Sequence, residues 1–267
     1  MQAPVKGSAL VDHLHSPAVM REQLWGVFLA LCLMGALDFF VCRHIKARWM
    51  CLHFLANVVV VATTISDLVN AADNPATSCV GRASSEVPTQ MIAALVGAVG
   101  SKLRFPDYTY PWISRSRPHR VQHMYHMALF ECGFDDILHH VIFVGIIGGL
   151  GICFDAGGAV KNTIAFFMCG LPGGLDYLML TLVKHDIILN TTEKEWNSRI
   201  NVWIRSPGLL LCAFCMYQAV RHGPADSPCA LHPWISGGAA ALCVINGQYY
   251  MQRVTGNTYR KVQRFSS

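Results

Sequence analysis

Long uncharged runs separated by short polar connections dominate the chain, and several reach the length of about 20 residues that a helix needs to cross a bilayer. Residues 24–42 and 49–71 form two such runs, joined by the basic "RHIKAR". Residues 72–89, "ADNPATSCVGRASSEVPT", have the composition of a connection. The next run, 91–103, is short and broken by Gly97 and Gly100, which suits a re-entrant or tilted piece. "FPDYTYPWISRSRP" follows as an interfacial loop, with Tyr and Trp expected at headgroup depth. Residues 121–134 read as a histidine-bearing helix. Residues 139–154, which contain "GIIGGLG", suit close helix packing in lipid. The run 161–183 holds Pro172 in its middle, which should kink or break the helix and free carbonyls that only a protein-lined cavity satisfies. A second polar connection, "KHDIILNTTEKEWNSR", precedes the last two runs, 200–220 and 234–252, and a basic tail closes the sequence.

These elements predict an all-α, polytopic membrane bundle of about seven helices, six to eight by the count of runs, around a polar-lined cavity. The organisation is an N-terminal segment (1–23), a first transmembrane helix (24–44), a membrane domain (45–252) and the tail (253–267), with no internal repeat. Composition agrees: 53% of residues are hydrophobic and 14% charged, where a soluble domain carries about a quarter charged. The first run lacks a small-residue cleavage pattern and reads as a span rather than a leader.

Charge bears on orientation. The net charge of +5 comes from clusters beside apolar runs, among them Arg43, Lys46 and Arg48, and Arg253, Arg260, Lys261 and Arg264. None is interleaved with aromatics as a nucleic-acid face would be, so no nucleic-acid partner is expected. Placing "RHIKAR" in the cytosol puts the N-terminus on the far side. Seven crossings then bring the basic tail to the cytosol as well, and eight would not. Most of the 11 cysteines fall in apolar runs, where a free thiol behaves as a small hydrophobe. Cys212 and Cys215 form a C-x-x-C without a second ligand pair. Cys79 and Cys229 fall in connections, and the sequence leaves their pairing open.

A charged side chain at mid-bilayer costs about 2.5–3.5 kcal/mol on insertion scales, so acids inside the runs call for an account. Asp67 sits near the end of its run and suits a packing role, whereas Asp38 and Asp176 lie deeper and point to a polar cavity. "HRVQHMYHMALFECGFDDILHHVIF" is the densest polar stretch. His123 and His126 share a helical face, and Asp135 with His139, and Asp136 with His140, stand four apart. An imidazole oriented by a carboxylate is what general-base chemistry needs. The histidines are too few for the several boxes of a membrane di-iron site, and no H-E-x-x-H occurs, so neither metal nor cofactor is expected.

Three of these pieces resemble the TLC domain, the multi-pass module of ceramide synthases and of several non-enzymatic lipid-linked membrane proteins. "FDDILHHVIF" is similar to the family's acidic residue followed by a paired histidine. "CGLPGGLDYLMLTLVK" is similar to its next polar-marked helix, with Asp176 preceding Lys184. "NSRINVWIRSP" is similar to the segment that brings in an arginine, here Arg205. Order and spacing agree over roughly residues 45–252. Where ceramide synthases carry a pattern like H-D-x-S-D, this chain reads "GGLD".

The resemblance implies two functions. The first is a membrane protein of the endoplasmic reticulum or another internal membrane that binds or senses lipid in membrane lipid homeostasis. The second is a sphingoid-base N-acyltransferase: His139 or His140 deprotonates a long-chain base, which attacks the thioester of an acyl-CoA, while Asp136 or Asp176 orients the imidazole. Contacts to substrate or lipid then fall to Asp38, His123, His126, Lys184 and Arg205. The missing His-Asp favours the first reading.

Overall fold

The computed structural model describes residues 17–81, 83–97 and 157–266, and among these it contains helices and no strand. Helix α1 spans Pro17–Phe40, with proline at the first position, where its missing N–H is not needed. A 3₁₀ turn, Cys42–His44, leads to α2, Arg48–Asp73. Pro75 stops α2, because the residue before a proline is pushed out of the helical region, and Asn74 sits at φ −130° and ψ 62°. After a 3₁₀ turn at Pro75–Thr77 comes α3, Val87–Gly97. The described chain resumes with α4 (Gly158–Ala165), a π turn (Phe166–Gly170) and α5 (Leu171–Lys184) as one continuous rod. A second rod is built alike: α6 (Asn190–Ile200), a π turn (Asn201–Arg205) and α7 (Ser206–His222). The short α8 (Pro228–Leu231) precedes the long α9 (Pro233–Ser266).

Pro172 therefore does not break its helix. Each π turn ends two residues before a proline, Pro172 in one rod and Pro207 in the other. A proline inside an α-helix loses one backbone bond and collides with a carbonyl of the preceding turn. One wider turn moves that carbonyl aside and keeps the rod going. The Leu171 N–H donates to Phe166 O, and the Ser206 N–H donates to Asn201 O, each closing the wide ring. The glycine after each proline then allows close approach. A Cβ built on Gly173 would lie 3.2 Å from Asn57 Nδ2, and one on Gly208 only 2.0 Å from Phe167 Cδ1. Gly208→Ala should thus cost about 1–3 kcal/mol, the usual penalty of overpacking, read as a lower thermal midpoint in detergent. An unchanged midpoint would mean that the Phe167 ring shifts freely.

Among the described residues, four stretches are long and apolar enough to cross a membrane: Arg21–Phe40, Arg48–Asp73, Gly158–Lys184 and Asn190–His222. The chain is a membrane protein on this ground. Its outer face carries Leu24, Phe28, Val58, Ile65 and Phe214 exposed, while Asn57, Thr64, Asp67, Asn162 and Asn201 are buried. Apolar outside and polar inside is the arrangement lipid demands. Helix α9, uncharged from 233 to 252, packs along α7, with Gly247 against Ser206 and Leu209. It stays helical through the basic stretch after 252, where the sequence suggested a separate tail. The expected count of about seven spans involves residues 98–156 as well, and these lie outside the described residues.

Local contacts sort the connections into two ends. At one end Cys79 and Cys229 form a disulfide with Cα atoms 6.1 Å apart, resolving what the sequence left open. The same end holds the start of α4, where the Val160 N–H donates to Ser78 O at 3.1 Å. It also holds the start of α1, through Gln23 bonded to Glu86 and Gln90. At the other end Lys46 faces Asp186 at 3.7 Å, and Thr258 of α9 bonds to Lys194 O. We call these the bridge end and the basic end.

Candidate functional site

Helix α6 begins at Asn190, well before the apolar run from 200, because the polar residues of the connection lie on one face. Glu193, Asn197, Asn201 and Arg205 are spaced by four and so stack along the inner side of the rod. Glu193 is fully buried, Asn201 nearly so, and Asn197 is buried too. Their side chains join end to end. Asn197 Nδ2 donates to Asp176 Oδ1 of α5 at 2.7 Å and to Glu193 Oε1 at 3.3 Å. Asn201 Nδ2 donates to Asn197 Oδ1 at 2.7 Å and to its backbone oxygen at 2.9 Å. Arg205 Nη1 donates to Asn201 Oδ1 at 2.7 Å.

The result is a carboxylate and a guanidinium linked through two amides. Each amide accepts on its oxygen and donates from its nitrogen, so both dipoles point the same way between the opposite charges. Hydrogen bonds in such a chain polarise one another. Lys194 Nζ sits 2.9 Å from Glu193 Oε2, so two acids and two bases make the cluster formally neutral. The Arg205 guanidinium carbon lies 5.5 Å from the Tyr250 ring centroid of α9, a cation–π distance. Its Nε is buried and has no hydrogen-bond partner among the described residues. Beside Asp176, the Tyr177 ring lies 4.5 Å from that of His53 on α2. His53 Nδ1 is 3.1 Å from Trp49 O, which it bonds as a donor when the proton sits on that nitrogen.

A second polar cluster lies towards the bridge end. Asp67 accepts from the Ser84 N–H at 3.0 Å, from Ser84 Oγ at 2.8 Å and from Asn162 Nδ2 at 2.6 Å. Lys161 Nζ and Glu86 Oε2 pair at 2.8 Å next to it. This cluster ties the connection after α2 to α4.

The sequence-derived residues divide accordingly. Asp176 and Arg205 meet at the two ends of one hydrogen-bonded chain. Asp38 is bonded by Arg48 at the basic end and is not a member of that chain. Lys184 is exposed at the end of α5. His123, His126, Asp136, His139 and His140 lie outside the described residues. Glu193, Asn197 and Asn201 were not singled out from sequence, nor were His53 and Tyr250. The four-residue spacing was the available signal for the first three. No family model matches the chain, and no curated protein or solved structure does.

Proposed function

We propose that the protein binds or senses membrane lipid through the Asp176–Arg205 chain and acts in membrane lipid homeostasis, in the endoplasmic reticulum or another internal membrane. One observation carries this reading. Arg205 sits about 22 Å along its rod from Asn190, at 1.5 Å per residue, and keeps a buried Nε–H without an acceptor among the described residues. A guanidinium inside a lipid-length helix is costly unless its donors are used. A lipid headgroup oxygen, from a phosphate or a hydroxyl, would use that donor. The resemblance to the TLC family supports the same reading, and a polar-lined cavity with His126, His139 and His140 belongs to it as an expectation.

The test is lipid analysis of the purified protein. Wild type should retain a lipid class above its share in the source membrane, and Arg205→Lys should lose most of that enrichment. Lysine keeps the charge but not the planar fork of donors. Arg221→Met, in the exposed last turn of α7, should leave the enrichment unchanged. No enriched class, or equal enrichment in Arg205→Lys, would overturn the proposal. The same membranes given a long-chain base and an acyl-CoA should yield no N-acylated product. A product that disappears in His139→Ala/His140→Ala would assign the protein to acyl transfer instead.

A further inference from the structure

We propose that the bundle stands with its basic end in the cytosol and its bridge end in an oxidising compartment, where Cys79–Cys229 is a permanent structural disulfide. Two independent observations meet here. The first is charge. Among the described residues, Arg43, Lys46, Arg48, Lys184, Lys194, Arg199, Arg253 and Arg260 gather at the basic end, against Arg21, Lys161 and Arg221 at the other. Cytosolic connections carry such an excess of Lys and Arg. The second is the bridge itself, because stable disulfides persist in secretory, extracellular or periplasmic surroundings and not in reducing cytosol.

The surroundings of the bridge mark it as structural. Both cysteines are buried. The connection holding Cys79 is clamped between two helix ends: a Cβ on Gly158 would lie 2.7 Å from Ser78 O, and one on Gly223 would lie 2.6 Å from Ala76 O. Gly158 also has φ +43°, a left-handed conformation that a side chain would strain. On the other partner, Ser227 caps α8 by accepting from the Ala230 N–H at 3.3 Å, and Ser236 Oγ donates to Cys229 O at 3.4 Å. The two thiols are thus presented to each other by backbone contacts that do not need the bond. The basic end offers a contrast. Cys42 interacts with Cys51 there, yet both remain free thiols.

This orientation also places Asn190, in the acceptor pattern "NTT", on the cytosolic side, out of reach of lumenal glycosylation. The experiment expresses the full chain with a C-terminal epitope in cultured eukaryotic cells. Free thiols are blocked with N-ethylmaleimide, the sample is reduced, and thiols released from disulfides are tagged with PEG-maleimide. Wild type should gain two tags that Cys79→Ser lacks, since the orphaned Cys229 is blocked at the first step. The epitope should be reached by antibody once the plasma membrane alone is opened, and glycosidase should cause no mobility shift. Absence of tags dependent on Cys79 would overturn the bridge. An epitope protected until internal membranes are dissolved, or a glycosidase shift lost in Asn190→Gln, would overturn the orientation. The wild-type measurements decide the proposal even where Cys79→Ser folds poorly.

Discussion

Arg205→Met should destabilise the protein by about 3–5 kcal/mol, the range seen when one member of a buried charged set is removed. Methionine keeps length and apolar volume, so the loss reports on charge and hydrogen bonding. Without the guanidinium, Asn201 Oδ1 loses its donor, and Asp176 and Glu193 retain Lys194 as the cluster's remaining base. Neutralising an acid in the same chain should recover part of the loss. Asp176 and Arg205 are joined through two amides rather than in direct contact, and most pairs so separated behave additively. Coupling of about 0.5–3 kcal/mol is expected of residues that share one network. A double-mutant cycle with Asp176→Asn, followed by unfolding in mixed detergent micelles, measures it. Additive effects within about 0.5 kcal/mol would show that the amides merely fill space.

Much of the bundle is written in the apolar runs, and the reason is thermodynamic. Runs at 49–71 and 161–183 lie within helical rods that extend only a few residues further, and the run at 24–42 outlasts α1 by two residues, because lipid length and backbone satisfaction leave few alternatives. The start of the rod at Asn190 was hidden for the opposite reason. Averaged over "NTTEKEWNSR", polarity is high, and a mean discards the fact that Glu193 and Asn197 fall on one face. A protein in lipid inverts the usual amphipathic pattern: its polar stripe turns inward and Trp196 and Trp203 face out. The helical tail after 252 was hidden similarly, since Thr258 Oγ1 bonds not only Val254 O of its own helix but also Lys194 O of another rod, a contact that no local pattern announces.

Proline was the other source of difference. Sequence rules place a break at Pro172, because they know the lost hydrogen bond but not its repair. The repair needs one extra residue in the preceding turn, and nothing local announces it. Two rods that share a π turn, a proline and a following glycine, with Phe167 of one packed over Gly208 of the other, suggest why the solution is used twice. In the second rod the π turn spans Asn201 and Arg205 themselves, so the backbone irregularity lies where the polar chain ends. Of the acids, Asp38 and Asp176 looked alike in sequence, both deep in apolar runs. What separates them is a partner distant along the chain for Asp176 and a near neighbour, Arg48, for Asp38.

Asp67→Ala should cost about 1–3 kcal/mol, the range for removing the acceptor of a buried or half-buried hydrogen-bonded group. Three donors converge on this carboxylate, and they come from Ser84 and Asn162, 17 and 95 residues away in sequence. Alanine leaves the Ser84 N–H without its acceptor, while the exposed Ser84 hydroxyl keeps Ser66 Oγ at 3.0 Å and Asn162 Nδ2 keeps its second bond to Ser85 O at 2.8 Å. The Ser84 side should therefore loosen more than the Asn162 side. Hydrogen exchange at the Ser84 amide should accelerate strongly, with exchange along α4 changing less. Asp67→Asn is the discriminating companion: it preserves one acceptor oxygen but points a donor at donors, so it should lie near alanine rather than near wild type. Ser84→Ala, which removes one hydroxyl and keeps the backbone bond, should cost about 1 kcal/mol. If Asp67→Asn matched wild type in its unfolding midpoint, the carboxylate's charge and second lone-pair set would be unnecessary, and the acid would have to be explained by something other than holding the connection to α4.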